Sequence, residues 1–136
     1  MKSYGIFAEY KFNIVMETKK SILTTLEEIT FADFLKVDIR VGQIIEVTDN
    51  LKAKQPAYLL SIDFGEFGQK ISSAQITQNY TKEELIEKQI IAVVNFPAKR
   101  VAGIKSEVLV LAAACKTNGT ILLEPNIVVE NGTRIS

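Results

Sequence analysis

Gly42 interrupts a long β-branched run, DIRVGQIIEVT, at positions 38–48. The run reads as a strand, and a glycine in the interior of a strand marks a bulge or a sharp bend. A long strand that bends is what closing a small barrel requires. This feature constrains the fold more than any other in the chain, because a first strand that bends can take part in closing a barrel.

The remaining elements follow in order. Thr30 to Lys36 reads as one helical turn, with Thr30 and Asp33 in a capping-box arrangement. Residues 49–57, DNLKAKQPA, form a polar loop, and YLLSIDF (58–64) alternates as a second strand. Gly65 and Gly68 bracket a turn before a third strand at Lys70–Ile76. Thr81 and Glu84 form a second capping box, opening a helix through KEELIEK. QIIAVVNF (89–96) is apolar almost throughout, as expected of a strand buried on both faces. A loop, PAKRVAGIKS (97–106), separates it from a fifth strand at Glu107–Ala114. Asn118-Gly119 signals a hairpin into ILLEP, and Asn131-Gly132 a further turn. Three strands, a helix and two strands make a mainly β chain. The order is that of an OB-fold, a five-stranded barrel with its helix between strands three and four, although other small α+β or β-barrel folds could share it. Short N- and C-terminal extensions flank it. The barrel domain is expected over 30–136. Residues 1–29 form an extension, partly helical where Ile22, Leu23, Leu26 and Ile29 recur at helical spacing. Met16 is expected to lie close to the structural start.

Composition narrows the chemistry. The chain has 136 residues, no histidine and one cysteine. That removes His-dependent triads and leaves too few ligands for a structural zinc site. No phosphate-binding glycine loop or nucleophile motif is present, so the reading is not an enzyme, with no cofactor and no metal. Cys115 follows an apolar run, LAAAC, and reads as a buried structural thiol. No apolar run is long enough to span a membrane. The first 20 residues do not read as a signal peptide, so the expected compartment is the cytoplasm. Lys plus Arg equals Asp plus Glu, 16 each. An RNA site in such a chain must therefore be a local patch.

OB-folds bind oligonucleotides on the face of strands two and three, between the strand 1–2 loop and the strand 4–5 loop. Here the first loop carries Lys52 and Lys54. The second carries Lys99, Arg100 and Lys105, has no acidic residue, and ends at Ser106. Basic loops are also commonly just solvated. Arg40 could pair with Asp38, two residues away on one strand face, or stand on the RNA face. Asn95 could read a base edge or satisfy backbone groups before Pro97. Ser72, Ser73 and Gln75 could contact ribose, phosphate or a peptide backbone. Tyr58, Phe64, Phe67 and Tyr80 could stack on bases, although core packing is their commoner use.

Five separated motifs carry a resemblance: FADFLKVDIRVGQI (31–44), SIDFG (61–65), SSAQIT (72–77), NFPAKRVAGIKSEVLVL (95–111) and NGT (131–133). Phe31 to Ser136 resembles the tRNA-binding domain family, which includes the C-terminal domain of bacterial methionyl-tRNA synthetase. In the broad family a Gly-Met often follows the Ser-x pair. Val108-Leu109 stands there instead, which looks like the CsaA-like branch. The resemblance implies an OB barrel, binding of tRNA or another structured RNA without catalysis, and a homodimer. The CsaA-like branch also implies an alternative role, as an export chaperone that binds unfolded preproteins.

Overall fold

The computed structural model describes residues 26–101 and 103–136. The expectations for Met16 and for most of the helix at 22–29 therefore lie outside the described residues. Its described end, 26–30, has no regular secondary structure. The elements are α1 (Phe31–Leu35), β1 (Ile39–Asp49), β2 (Tyr58–Asp63), β3 (Gln69–Ala74), α2 (Lys82–Leu85), β4 (Gln89–Val93), β5 (Lys99–Val101), β6 (Ile104–Ser106), β7 (Leu109–Val110), β8 (Ala112–Cys115) and β9 (Gly119–Leu122). Both capping boxes form: Thr30 with Asp33, and Thr81 with Glu84.

The main sheet runs β3-β2-β1-β4-β7. The eleven-residue β1 serves both halves of it. Its first part, Ile39–Gln43, pairs with β4, and Gln43–Asp49 pairs with β2. The expected bend is there, but the register irregularity falls between Ile44 and Glu46 rather than at Gly42. Gly42 has another task. A Cβ on it would lie 2.6 Å from both Ile62 Cγ2 and Phe64 Cε1. Those two side chains are fully buried, so the missing Cβ makes room for the core.

The barrel closes between β3 and residues 106–108. Glu107 N–H donates to the Ile71 carbonyl at 2.8 Å. Ile71 N–H donates in turn to the Glu107 carboxylate at 2.9 Å, so a side chain completes the ladder where strand pairing ends. Ser72 Oγ donates to the Val108 carbonyl at 3.1 Å. Ile44, Leu60, Ile62, Phe64, Leu85, Ile90 and Val108 fill the interior. This is the expected OB barrel, with α2 between the third and fourth strands.

Further expectations are corrected. The loop at 97–106 contains a β-hairpin, β5 with β6. The fifth strand is split at Leu111. Its N–H donates to Ile91 of β4 and its carbonyl accepts from Leu123, so the chain changes partner there and β8 pairs with β9. Cys115 is half exposed at the end of β8 rather than buried.

The C-terminal segment lies along the start of β1. Val41 N–H donates to Thr133, Gly132 N–H to Val41, and Ile135 N–H to Ile39, at 2.7–2.9 Å. Gly132 sits at φ 92, and a Cβ there would meet the Phe64 carbonyl oxygen at 2.5 Å. Glycine alone fits this turn without strain.

Candidate nucleic-acid interface

The site is assembled from the two loops at one edge of the barrel. Asn50 organises the first with all four of its polar groups. Its N–H donates to Ala57, its carbonyl accepts from Ala53, and its Oδ1 accepts from Lys52 N–H at 3.2 Å. Its Nδ2 donates to Ser73 Oγ of β3 at 3.1 Å. The second loop is the β5–β6 hairpin. The two loops meet: Lys52 Nζ lies 3.4 Å from where a Cβ on Gly103 would sit.

Pairing within the hairpin sets the direction of its charges. Lys99 pairs with Ser106, and Arg100 with Lys105. Paired residues of an antiparallel ladder share a face, with Cβ atoms about 5 Å apart. Arg100 and Lys105 therefore stand side by side on one face of the hairpin, and Lys99 stands on the face of Ser106. Two cations directly opposite one another are destabilising without an anion between or above them. Arg100 also donates to the Gly103 carbonyl at 3.0 Å, which tightens the turn.

Ion pairing separates these cations from most others in the fold, Lys70 and Lys116 also being without an ion pair among the described residues. Lys36, Arg40, Lys82, Lys88 and Arg134 each lie within 2.8–3.8 Å of a carboxylate. Among the described residues, no ion pair joins Lys52, Lys54, Lys99, Arg100 or Lys105 to a carboxylate. All five are exposed. In a chain of zero net charge, the free positive charge on these loops forms a local patch.

The other candidates are placed differently. Arg40 is mostly buried, with Nε 2.9 Å from Asp38 Oδ1, close but not aligned as a hydrogen bond. Its Nη1 donates to the Gly132 carbonyl at 2.9 Å, and its guanidinium lies 4.0 Å over the Phe67 ring. It clips the C-terminal turn to the barrel. Asn95 bridges backbone groups, accepting from Asp38 N–H at 3.0 Å and donating to the Lys36 carbonyl at 2.7 Å. Ser73 and Ser106 are 7% and 1% exposed, between the strand face and the loops that cover it. Gln75 follows β3 and is half buried. Phe64 is in the core, and Tyr58 donates from its hydroxyl to the Tyr80 carbonyl. The Tyr80 hydroxyl accepts from Leu122 N–H, so the tyrosines tie elements together. Asn50 does not stand out as a binding residue in the sequence. Its place after a strand and two residues before Lys52 is an Asx-turn signal that could have found it.

The family described as "Putative tRNA binding domain" matches residues 39–134. A solved structure of chaperone CsaA from Bacillus anthracis str. Ames is 52% identical, with a TM-score of 0.77. The match covers 81% of this chain and 100% of that one. The CsaA chaperone protein of Picrophilus torridus is 55% identical with a TM-score of 0.76, over 80% of this chain and 100% of that one. Methionine–tRNA ligase of Archaeoglobus fulgidus is 37% identical over 80% of this chain, which spans only 16% of the ligase.

Proposed function

The chain belongs to the tRNA-binding domain family, and from that premise we propose that it is a non-catalytic RNA-binding protein whose ligand is tRNA or another structured RNA. The observation that carries this reading is the convergence of Lys52 on the β5–β6 hairpin, beside cations that have no carboxylate partner among the described residues. Phosphates are the natural counter-charge for such a patch. Arg100 offers a fork for bidentate contact, and the lysines act as point charges. A ligand of this kind puts the protein in the cytoplasm.

The protein works as a two-fold homodimer. The α1 turn, FADFL, buries none of its residues within the protomer, and Phe31 is 73% exposed. Ile127 and Val128 are 74% and 82% exposed. Apolar surface of this kind is usually covered, and closed two-fold dimers are the commonest way. Two patches on one particle also suit a folded RNA, because the second contact gains from effective concentration. Light scattering at micromolar concentration should give twice the 15.1 kDa chain mass, and a strictly monomeric mass would refute the dimer.

The CsaA solved structures, described as chaperones, favour one second reading, binding of unfolded preproteins. The same apolar residues would serve it. Competition decides between them. Labelled tRNA should bind the pure protein at physiological salt and resist displacement by an excess of unfolded, signal-bearing polypeptide. Binding of the polypeptide with no binding of tRNA would make the chaperone role the function.

A further inference from the structure

Asn50, Ser73 and Ser106 form a buried polar chain across the site. They are 6%, 7% and 1% exposed. Asn50 Nδ2 donates to Ser73 Oγ at 3.1 Å, and Ser73 N–H reaches Ser106 Oγ at 3.4 Å, the long limit of a hydrogen bond. Each residue belongs to a different piece of the site. Asn50 heads the β1–β2 loop and holds Lys52 N–H. Ser73 lies on β3, and Ser106 ends β6, cross-strand from Lys99. We propose that this chain is a latch that sets the spacing between the two basic loops, so that its three residues govern RNA affinity as positioning residues. The proposal rests on the RNA-binding reading of the two loops.

A solvated loop such as 50–57 would sample many conformations, and ordering each of its residues costs backbone entropy. If that cost falls on RNA binding, affinity drops; if the fold has already met it, affinity is preserved. Asn50 meets it in the free protein, since every one of its polar groups is satisfied. Its side-chain bond to Ser73 is buried, where breaking it leaves an orphaned amide rather than a hydrated one. The link is also directional. Through it the position of Lys52 over Gly103 is referred to β3, and through Ser106 the hairpin is referred to the same residue. Ser73 is the pivot, and it carries no charge to confuse an electrostatic measurement.

The test is Ser73→Ala, Ser73→Thr and Lys52→Ala, singly and with Ser73→Ala combined with Lys52→Ala, titrated with tRNA at several salt concentrations. Ser73→Ala should weaken binding about tenfold. It should lower the slope of log affinity against log salt by roughly 0.7–0.9, as removing one phosphate interaction does. Lys52→Ala should then add little on the Ser73→Ala background, because the charge is already displaced. Ser73→Thr, which keeps the hydroxyl, should restore the slope. A folded Ser73→Ala protein with wild-type affinity and slope overturns the latch, as do effects that simply add to those of Lys52→Ala. Should Ser73→Ala fail to fold, Ser106→Ala removes only the longer bond and decides by the same criteria, with cycles against Lys99→Ala. A wild-type protein that binds no tRNA at any salt fails the RNA reading itself, which is a different result from a latch without effect.

Discussion

Cys115 stands at the mouth of the β8–β9 hairpin, where the Thr117 hydroxyl lies 3.3 Å from its Sγ and Asn118 N–H donates to it at 3.4 Å. The Thr117 side chain, then the backbone N–H groups of Asn118 and Thr117, hold its thiol below the ordinary cysteine value. A depressed value favours the thiolate of the folded state. The contribution is present above the unfolded thiol's pKa and is lost as pH falls through the folded one. Alkylation of the folded protein should therefore show its half-maximal rate at lower pH than the same cysteine in denatured protein. Thr117→Val should move that midpoint up, and an unmoved midpoint would contradict the assignment. Residue chemistry of this kind is poorly legible in the sequence. LAAAC suggests burial, but the alanines of β8 lie on a two-stranded hairpin, and Ala113 and Ala114 are exposed. Arg40 and Asn95 each admit two roles on sequence, because the answer depends on Gly132, Phe67 and Lys36, which no local pattern brings near.

Elements are legible where their signals are local. Both capping boxes satisfy the geometry their spacing implies, since Thr, two residues and a carboxylate close on themselves whatever the fold around them. Thr81→Ala removes the acceptor for Glu84 N–H, at 3.2 Å, and should cost about 1 kcal/mol in chemical denaturation. A change within error would mean that α2 is held only by Leu85, whose side chain is fully buried. The length of α2 is not legible. KEELIEK favours helix to Lys88, yet the helix stops at Leu85. Glu87 turns to φ 71 and donates its N–H to the Ile44 carbonyl at 2.7 Å, while Lys88 accepts from Ile44 N–H. The next groups along β1 capture the chain, and tertiary pairing outweighs helix propensity. The split of the fifth strand at Leu111 and the hairpin inside the second loop have the same cause, a change of hydrogen-bonding partner.

At the scale of the whole molecule, order along the chain points to the barrel but is shared with other small α+β and β-barrel folds, and the bend in the long first strand together with the five separated motifs narrows the choice. What order does not give is how the barrel shuts, through the Glu107 carboxylate on Ile71 N–H and the C-terminal segment on β1. Nor does it give the meeting of the two basic loops, which depends on Asn50 and the turn at Gly103. The candidate cations are nonetheless readable from the sequence, because in a neutral chain the two binding loops carry Lys52, Lys54, Lys99, Arg100 and Lys105 against Asp49 alone. The most direct measurement is tRNA binding as a function of salt for the wild type and for Lys99→Ala, Arg100→Ala and Lys105→Ala combined. Exposed loop changes cost within about 0.5 kcal/mol each, so the triple variant should stay folded. Weaker binding is expected, with a salt slope reduced by roughly 0.7–0.9 for each phosphate that is no longer neutralised. A folded triple variant with the wild-type affinity and the wild-type slope would contradict it and place the RNA elsewhere on the protein.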